Sequence, residues 1–261
     1  MGAATRASLE AIKSQSAGTT SSAAVVSGVC ELGRAIAGYP ALLQALADHG
    51  HDASKRTALL NEAASGASKD ALELASSLIA LEWSKPADFL AGIEQLAVRL
   101  ASNSAGSTDL IGELLQVGRV IRGHSQLQLA LSDKRAKAAA KISLVEKLLA
   151  KKVSAETLEI VKHIVALPRG RRVSDALAAA AAMVADQQGL GLAEVRVAAA
   201  LSAANDKAVR EMLTKKFGRD HYLDVVIDAE VIGGVRIRVG DVVIDASVSK
   251  QLHDMRLQLA S

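Results

Sequence analysis

The sequence predicts a mainly α protein: tandem helical bundles followed by a small C-terminal α/β unit of helix, strand hairpin and helix. Three observations carry that prediction. Half of the 261 residues are hydrophobic, yet only 2% are aromatic and only three are Pro. An apolar half drawn largely from Ala, Leu and Val is helix-forming material. A stretch of the chain recurs further on: Gly33-Arg34-Ala35-Ile36 through Asp48 aligns with Gly118-Arg119-Val120-Ile121 through Asp133 at an offset of 85, and Ala71-Leu72-Glu73-Leu74 aligns with Thr157-Leu158-Glu159-Ile160 at an offset of 86. Such self-similarity marks a repeated structural unit. Finally, β-branched runs gather near the C-terminus, at Val225-Val226-Ile227 and Val242-Val243-Ile244.

Taken in order, Arg6 to Ser14 reads as an amphipathic helix ahead of the first copy. Val25, Val29, Leu32 and Ile36 then recur at steps of four, three and four, the spacing of one helix face. Ser54 precedes a helix through Leu59 and Leu60, Gly66 marks an exit from helix geometry, and Pro86 opens a further helix. The small, polar run Ala101 to Ser107 reads as a linker. In the second copy Ile111, Leu114, Leu115, Val117 and Ile121 form a matching stripe. About four helices per copy are expected, with domains at 1–103, 104–190 and 191–261.

The C-terminal unit follows a different period. Val235-Arg236-Ile237-Arg238-Val239 alternates apolar and basic residues, as a half-buried strand does. Gly240-Asp241 is a two-residue hairpin link, since Gly takes the positive φ such turns need. Gly233-Gly234 bends the chain into the first hairpin strand. A last helix, Ser247 to Leu259, carries Val248, Leu252, Met255 and Leu259 on one stripe, with Ser247 as its candidate N-cap.

Chemistry is sparse. Cys30 stands alone, which excludes an intramolecular disulfide, a zinc ribbon and a redox dithiol. Gly66-Ala67-Ser68-Lys69 lacks the spacing of a phosphate loop. The six His are scattered, and His49 with His51 have no carboxylate cluster around them. Asp241 and Asp245 flank a short strand, but turn-forming and loop-fixing roles suit them better than acid-base work. No catalytic, cofactor-binding or metal residues are therefore expected. The net charge is +3 with a pI near 9.0. The basic residues Lys134, Arg135, Lys137 and Lys141, followed by Lys147, Lys151 and Lys152, read as a solvated helix face. Leu90 to Lys216 contains no Phe, Tyr or Trp, so stacking platforms for single-stranded nucleic acid are missing there. The opening MGAATRASLEAIK has no signal-peptide core, and Arg6 breaks the myristoylation pattern. The longest apolar run, Ala176 to Ala185, is shorter than the roughly 18 to 20 residues that span a bilayer. The expected state has no direct membrane insertion.

The run Val231-Ile232-Gly233-Gly234-Val235-Arg236-Ile237-Arg238-Val239-Gly240-Asp241-Val242-Val243-Ile244-Asp245-Ala246-Ser247-Val248, closed by Leu252, resembles the signature of the delta subunit of F-type ATP synthases, relatives of the mitochondrial oligomycin-sensitivity-conferring protein. In that family Gly-Gly precedes an alternating strand, then come Gly-Asp, an apolar strand, Asp, a small residue, Ser and a Leu-rich helix; Ala246 stands where Gly is common. The duplicated bundle resembles an actinobacterial-like long form. The resemblance implies Gly233, Gly234, Gly240, Asp241, Asp245, Ser247 and Leu252 as structural signature residues. It further implies a non-catalytic stator subunit at the cytoplasmic face of the cell membrane. Such a subunit grips the N-terminal helix of an alpha subunit, meets the C-terminal region of the b subunit, and touches beta only indirectly; it uses no cofactor and no nucleic acid. Ala7, Leu9, Ile12, Val248 and Met255 are the candidate partner-interface positions. The competing reading is a generic helical adaptor or a basic RNA-binding helical protein, resting on the tandem and the 134–152 cluster. An enzyme reading rests on Asp241 and Asp245 alone.

Overall fold

The computed structural model describes residues 2–64, 68–228, 231 and 233–247. The chain divides into two compact units, Met1–Gln187 and Gln188–Ser261.

The first unit is helical. After α1 (Ala3–Ser16), five helices form the first copy: α2 (Ala23–Ala37), α3 (Pro40–Ala47), α4 (Ala53–Ala63), α5 (Lys69–Ser77) and α6 (Pro86–Ser104). The second copy repeats them as α7 (Leu110–Gly123), α8 (Ser125–Ser132), α9 (Ala138–Leu149), α10 (Ala155–Ala166) and α11 (Val173–Gln187). Each copy thus has five described helices rather than four, because the short α3 and α8 are separate elements. Side-chain caps start many of them: Ser22 accepts from the Val25 amide, Asp109 from Gly112, and Ser154 from Thr157. These caps satisfy amides that have no partner inside the helix. Pro40 and Pro86 occupy first-turn positions, where a missing N–H costs nothing. The helix expected after Ser54 begins two residues earlier, at Ala53, with Asp52 as its cap accepting from the Ser54 amide. Gly66 lies outside the described residues.

The structure does not place a domain boundary at 103/104. That position falls in the last turn of α6, so Ala101 to Ser104 are helical rather than linker, and Ala101 is fully buried. The physical reason is that α6 serves both copies. It packs against α1 and α2 on one side, and against α10 and α11 on another. In the second copy, α11 packs against α6 and α7 as α6 packs against α1 and α2. Every residue from Phe89 to Ala101 is buried, the condition of a helix enclosed on all sides. The helical unit closes at Gln187, three residues before the expected limit of 190.

Buried polar residues join the copies. Glu94, 1% exposed, takes Arg171 at 2.7 Å and Arg169 at 2.9 Å from the loop ahead of α11. Arg99 donates to Asp186 at 2.9 Å and to Gln187 at 2.8 Å, and Lys13 reaches the same Asp186 at 2.7 Å. On α10, His163 Nδ1 lies 3.3 Å from the Cys30 carbonyl of α2.

The second unit holds β1 (Gly191–Val197), α12 (Ala203–Phe217), β2 (His221–Ile227), β3 (Gly234–Val239) and β4 (Val242–Ser247). The sheet order is β2-β1-β3-β4, with β1 parallel to β2 and the other neighbours antiparallel. Ala193, Val195 and Val197 alternate inward and pack with Val209, Leu213 and Ile237. Strand β1 is an addition to the expected hairpin, and β4 runs three residues past Ile244. The expected helix from Ser247 to Leu259, with Val248, Leu252 and Met255, lies beyond Ser247 outside the described residues.

Candidate functional site

Of the residues singled out in the sequence, Ala7, Leu9 and Ile12 lie on α1 in the first unit and the described signature residues lie in the second, whereas Val248, Leu252 and Met255 fall outside the described residues. On α1 the buried positions are Thr5, Ser8, Ile12 and Ser16, spaced by three or four residues on one face. Small polar side chains fix that face: Thr5 Oγ1 donates to Asp88 at 2.7 Å, Ser8 Oγ donates to the Glu82 carbonyl at 2.6 Å, and Gln95 Nε2 donates to the Leu9 carbonyl at 2.8 Å. Ile12 is 1% exposed and belongs to this internal contact, so it is not available to a partner. Ala7 is exposed and Leu9 half-buried; both remain on the accessible side. The spacing of Thr5, Ser8, Ile12 and Ser16 is the sequence signal that could have separated the two faces, and the grouping of Ile12 with Ala7 and Leu9 passed over it.

In the second unit the signature residues come together in the β3–β4 hairpin. Gly233 and Gly234 take φ of +71° and +76°, turning the chain into β3. Gly240 takes φ of +56° at the first of the two link positions, with Val239 paired to Val242 across the turn. Asp241 sits exposed in that turn, whereas Asp245 lies within β4 opposite Arg236, their side chains 4.0 Å apart. Ser247 ends β4 with its backbone opposite Gly234. The two carboxylates therefore serve different places, and they do not form a paired acid-base site.

One face of the sheet is charged. Glu194 accepts from Arg196 and Arg238, both at 2.6 Å, and Arg196 also reaches Asp228 at 3.2 Å. Burial pushes the Glu194 carboxyl up, but the two guanidinium hydrogen bonds outweigh it and hold the group below the usual carboxylate range. These residues, with Arg236 and Val243, line a shallow cavity of about 220 Å³. The other face is apolar and covered centrally by α12. Val225 and Ile227 at one edge and Val242 at the other remain 39%, 67% and 44% exposed.

Burial silences the nucleophile and the buried imidazole of the first unit. The Cys30 thiol is pushed up to about 12, and His163 is driven down to about 4, in each case chiefly by desolvation. Among the described residues no group of three His, Cys, Asp or Glu side chains could hold a metal ion. The described residues thus define a two-unit protein: a multi-helix body whose charges bridge its own elements, followed in sequence by a small sheet with apolar edges.

The profile of the ATP synthase delta (OSCP) subunit family matches residues 96–259, from within α6 through the second copy and the sheet unit. The chain belongs to that family. It is 37% identical over 263 aligned residues to the ATP synthase subunit delta of Leifsonia xyli subsp. xyli, covering all of both chains. It is 36% identical over 193 residues to that of Thermobifida fusca, covering 72% of each. A chain of the cryo-EM structure of the Toxoplasma gondii mitochondrial ATP synthase hexamer aligns with a TM-score of 0.37 at 18% identity, covering 64% of this chain and 97% of that one.

Proposed function

We propose that this chain is the non-catalytic peripheral-stalk subunit of a proton-translocating F-type ATP synthase, joining the alpha/beta head to the b subunit so that rotor torque is resisted. The observation that carries the reading is the family match running from α6 to residue 259, across the hairpin built by Gly233, Gly234 and Gly240. A static joint works by helix-in-groove and sheet-face contacts, not by a reacting side chain. In this reading the helical unit holds the N-terminal helix of an alpha subunit, with Ala7 and Leu9 on the accessible side of α1. The sheet unit meets the C-terminal region of b, and the exposed Val225, Ile227 and Val242 supply apolar area for that contact. Among the described residues no helix is long and apolar enough to cross a membrane. The chain would sit at the cytoplasmic face of the cell membrane through its partners.

Co-purification tests the reading. The chain should leave membranes together with alpha and beta after low-salt stripping; recovery as a free monomer with no affinity for alpha overturns it. For the b contact, a cut after Asp220 would split the sheet between α12 and β2, so the informative fragment ends at Gln187. That fragment should stay helical and lose b binding. Retained binding would move the contact into the helical unit.

A further inference from the structure

The two copies differ in sequence where the second presents an open apolar groove. Helices α7, α8, α9 and α10 wall a cavity of about 640 Å³, lined by Val120, Leu127, Leu144, Leu148 and Leu149, with Lys152 at its rim. Val120 and Leu148 are 46% and 40% exposed there. At the repeat offset of 85, the first copy has Ala35, Ala63 and Ala64 in place of Val120, Leu148 and Leu149. Arg56 stands in place of Lys141; both are buried, and Arg56 donates to the carbonyls of Leu46 and Ile79 at 3.2 and 2.9 Å, linking α3 to the segment after α5 within the first copy. Large apolar side chains left in water are unfavourable unless something covers them.

Charge points to the kind of occupant. Residues 110–166 carry ten Lys and Arg against five Asp and Glu, a net +5, whereas residues 23–77 carry four against six, a net −2. Some of the acids in the second copy are already engaged: Glu113 accepts from Ser154, and Glu146 and Glu159 both pair with Lys162. Lys147, Lys151 and Lys152 are exposed along α9 and the turn after it. An apolar cleft with a basic rim fits a helix with an apolar stripe and acidic flanks. The chain's own residues 248–261 have an apolar stripe but carry Lys250 and Arg256 against Asp254, the wrong sign for this rim.

We propose that the α7–α10 groove of the second copy docks an acidic-flanked amphipathic helix from a partner polypeptide, and that the matching face of the first copy does not. The assignment of that partner to a neighbouring synthase subunit rests on the stator reading; the chemistry of the groove does not.

Two measurements on the full chain test it. In fluorescence anisotropy, a labelled peptide of about five helical turns with a Leu stripe and Glu flanks should bind about ten-fold more tightly than its Lys-flanked isomer. Leu148→Glu, a change at an exposed position, should weaken it by a similar factor with the helical circular dichroism unchanged, and Ala63→Glu should not. Equal binding of the two peptides, or indifference to Leu148→Glu, overturns the proposal. In the purified complex, a photo-crosslinker at position 148 should capture an acidic helical segment of another subunit. Capture of this chain's own C-terminus, of a second copy, or of nothing counts against the groove while leaving the stator reading intact, since co-purification alone decides that.

Discussion

His163 shows how one side chain ties the two helical copies together and sets their response to acid. Its ring is buried between α10 and α2, where the folded chain resists the proton until about pH 4, while an unfolded chain accepts it near 6.5. Between those values the unfolded state binds more protons, so stability is full above pH 6.5 and is lost as pH falls towards 4. The loss should be on the order of 3 kcal/mol by linkage. Chemical denaturation at stepped pH should show this slope, and His163→Gln should flatten it. Asp186 acts lower: burial raises its carboxyl, but the hydrogen bonds and charges of Lys13 and Arg99 lower it by more, so the stability it contributes is full above the ordinary carboxylate range and is lost as pH falls through that range to the lowered folded value. Gly33 is the complementary feature, because a Cβ there would stand 2.8 Å from Ile93 and 3.0 Å from the His163 ring. Gly33→Ala should destabilise by about 1–3 kcal/mol, the cost of overpacking, read as a lowered denaturation midpoint. Neither role was legible in sequence, where His163 was one of six scattered His. Burial between copies depends on which helices meet, and a one-dimensional pattern does not give that.

At the scale of elements, the duplication was legible because the repeated segments, Gly33 to Asp48 and Gly118 to Asp133, keep the apolar positions that α2–α3 and α7–α8 bury. The hairpin was legible because Gly240-Asp241 and the alternation of Val235 to Val239 are local signals. Strand β1 was not, since its inward side uses Gly191 and Ala193 beside Val195 and Val197, too small a set to stand out from a nearby Ala-rich helix. The linker expected at Ala101 to Ser107 is helical over its first four residues, and non-helical only from Ala105 on, for a related reason. Small residues such as Ala101 permit close helix packing as readily as they permit a loop, and here α6 is packed on by α1, α2, α10 and α11. Glu94 on α6 gives this a test. Glu94→Ala removes the acceptor of both Arg169 and Arg171 and should cost about 3 kcal/mol, the scale for breaking a buried pair, in equilibrium unfolding.

For the whole molecule, the consequence is a division unlike the three domains expected from composition and repeat. The helical copies form one unit to Gln187 because they share a helix, and the sheet unit stands as its own compact unit from Gln188. A fragment of residues 106–187 lacks α6 and should fail to fold cooperatively, while extension back to Pro86 should restore helical circular dichroism and a thermal transition. Folding of 106–187 alone would show that the second copy does not depend on α6.

The shared helix also fixes the rotational phase between the copies. Each residue of an α-helix advances the face by about 100°. Inserting one residue within α6, between Glu94 and Arg99, would swing Arg99 and Asn103 away from the direction that aligns them with Asp186 and Ser16 while Glu94 keeps its own. An insertion of seven would bring the face back to within about 20°, but would move it about 10 Å along the axis. The length of α6 is thus held by two sets of neighbours at once, and lengthening the joint between the copies is closed to small steps that an ordinary loop would accept.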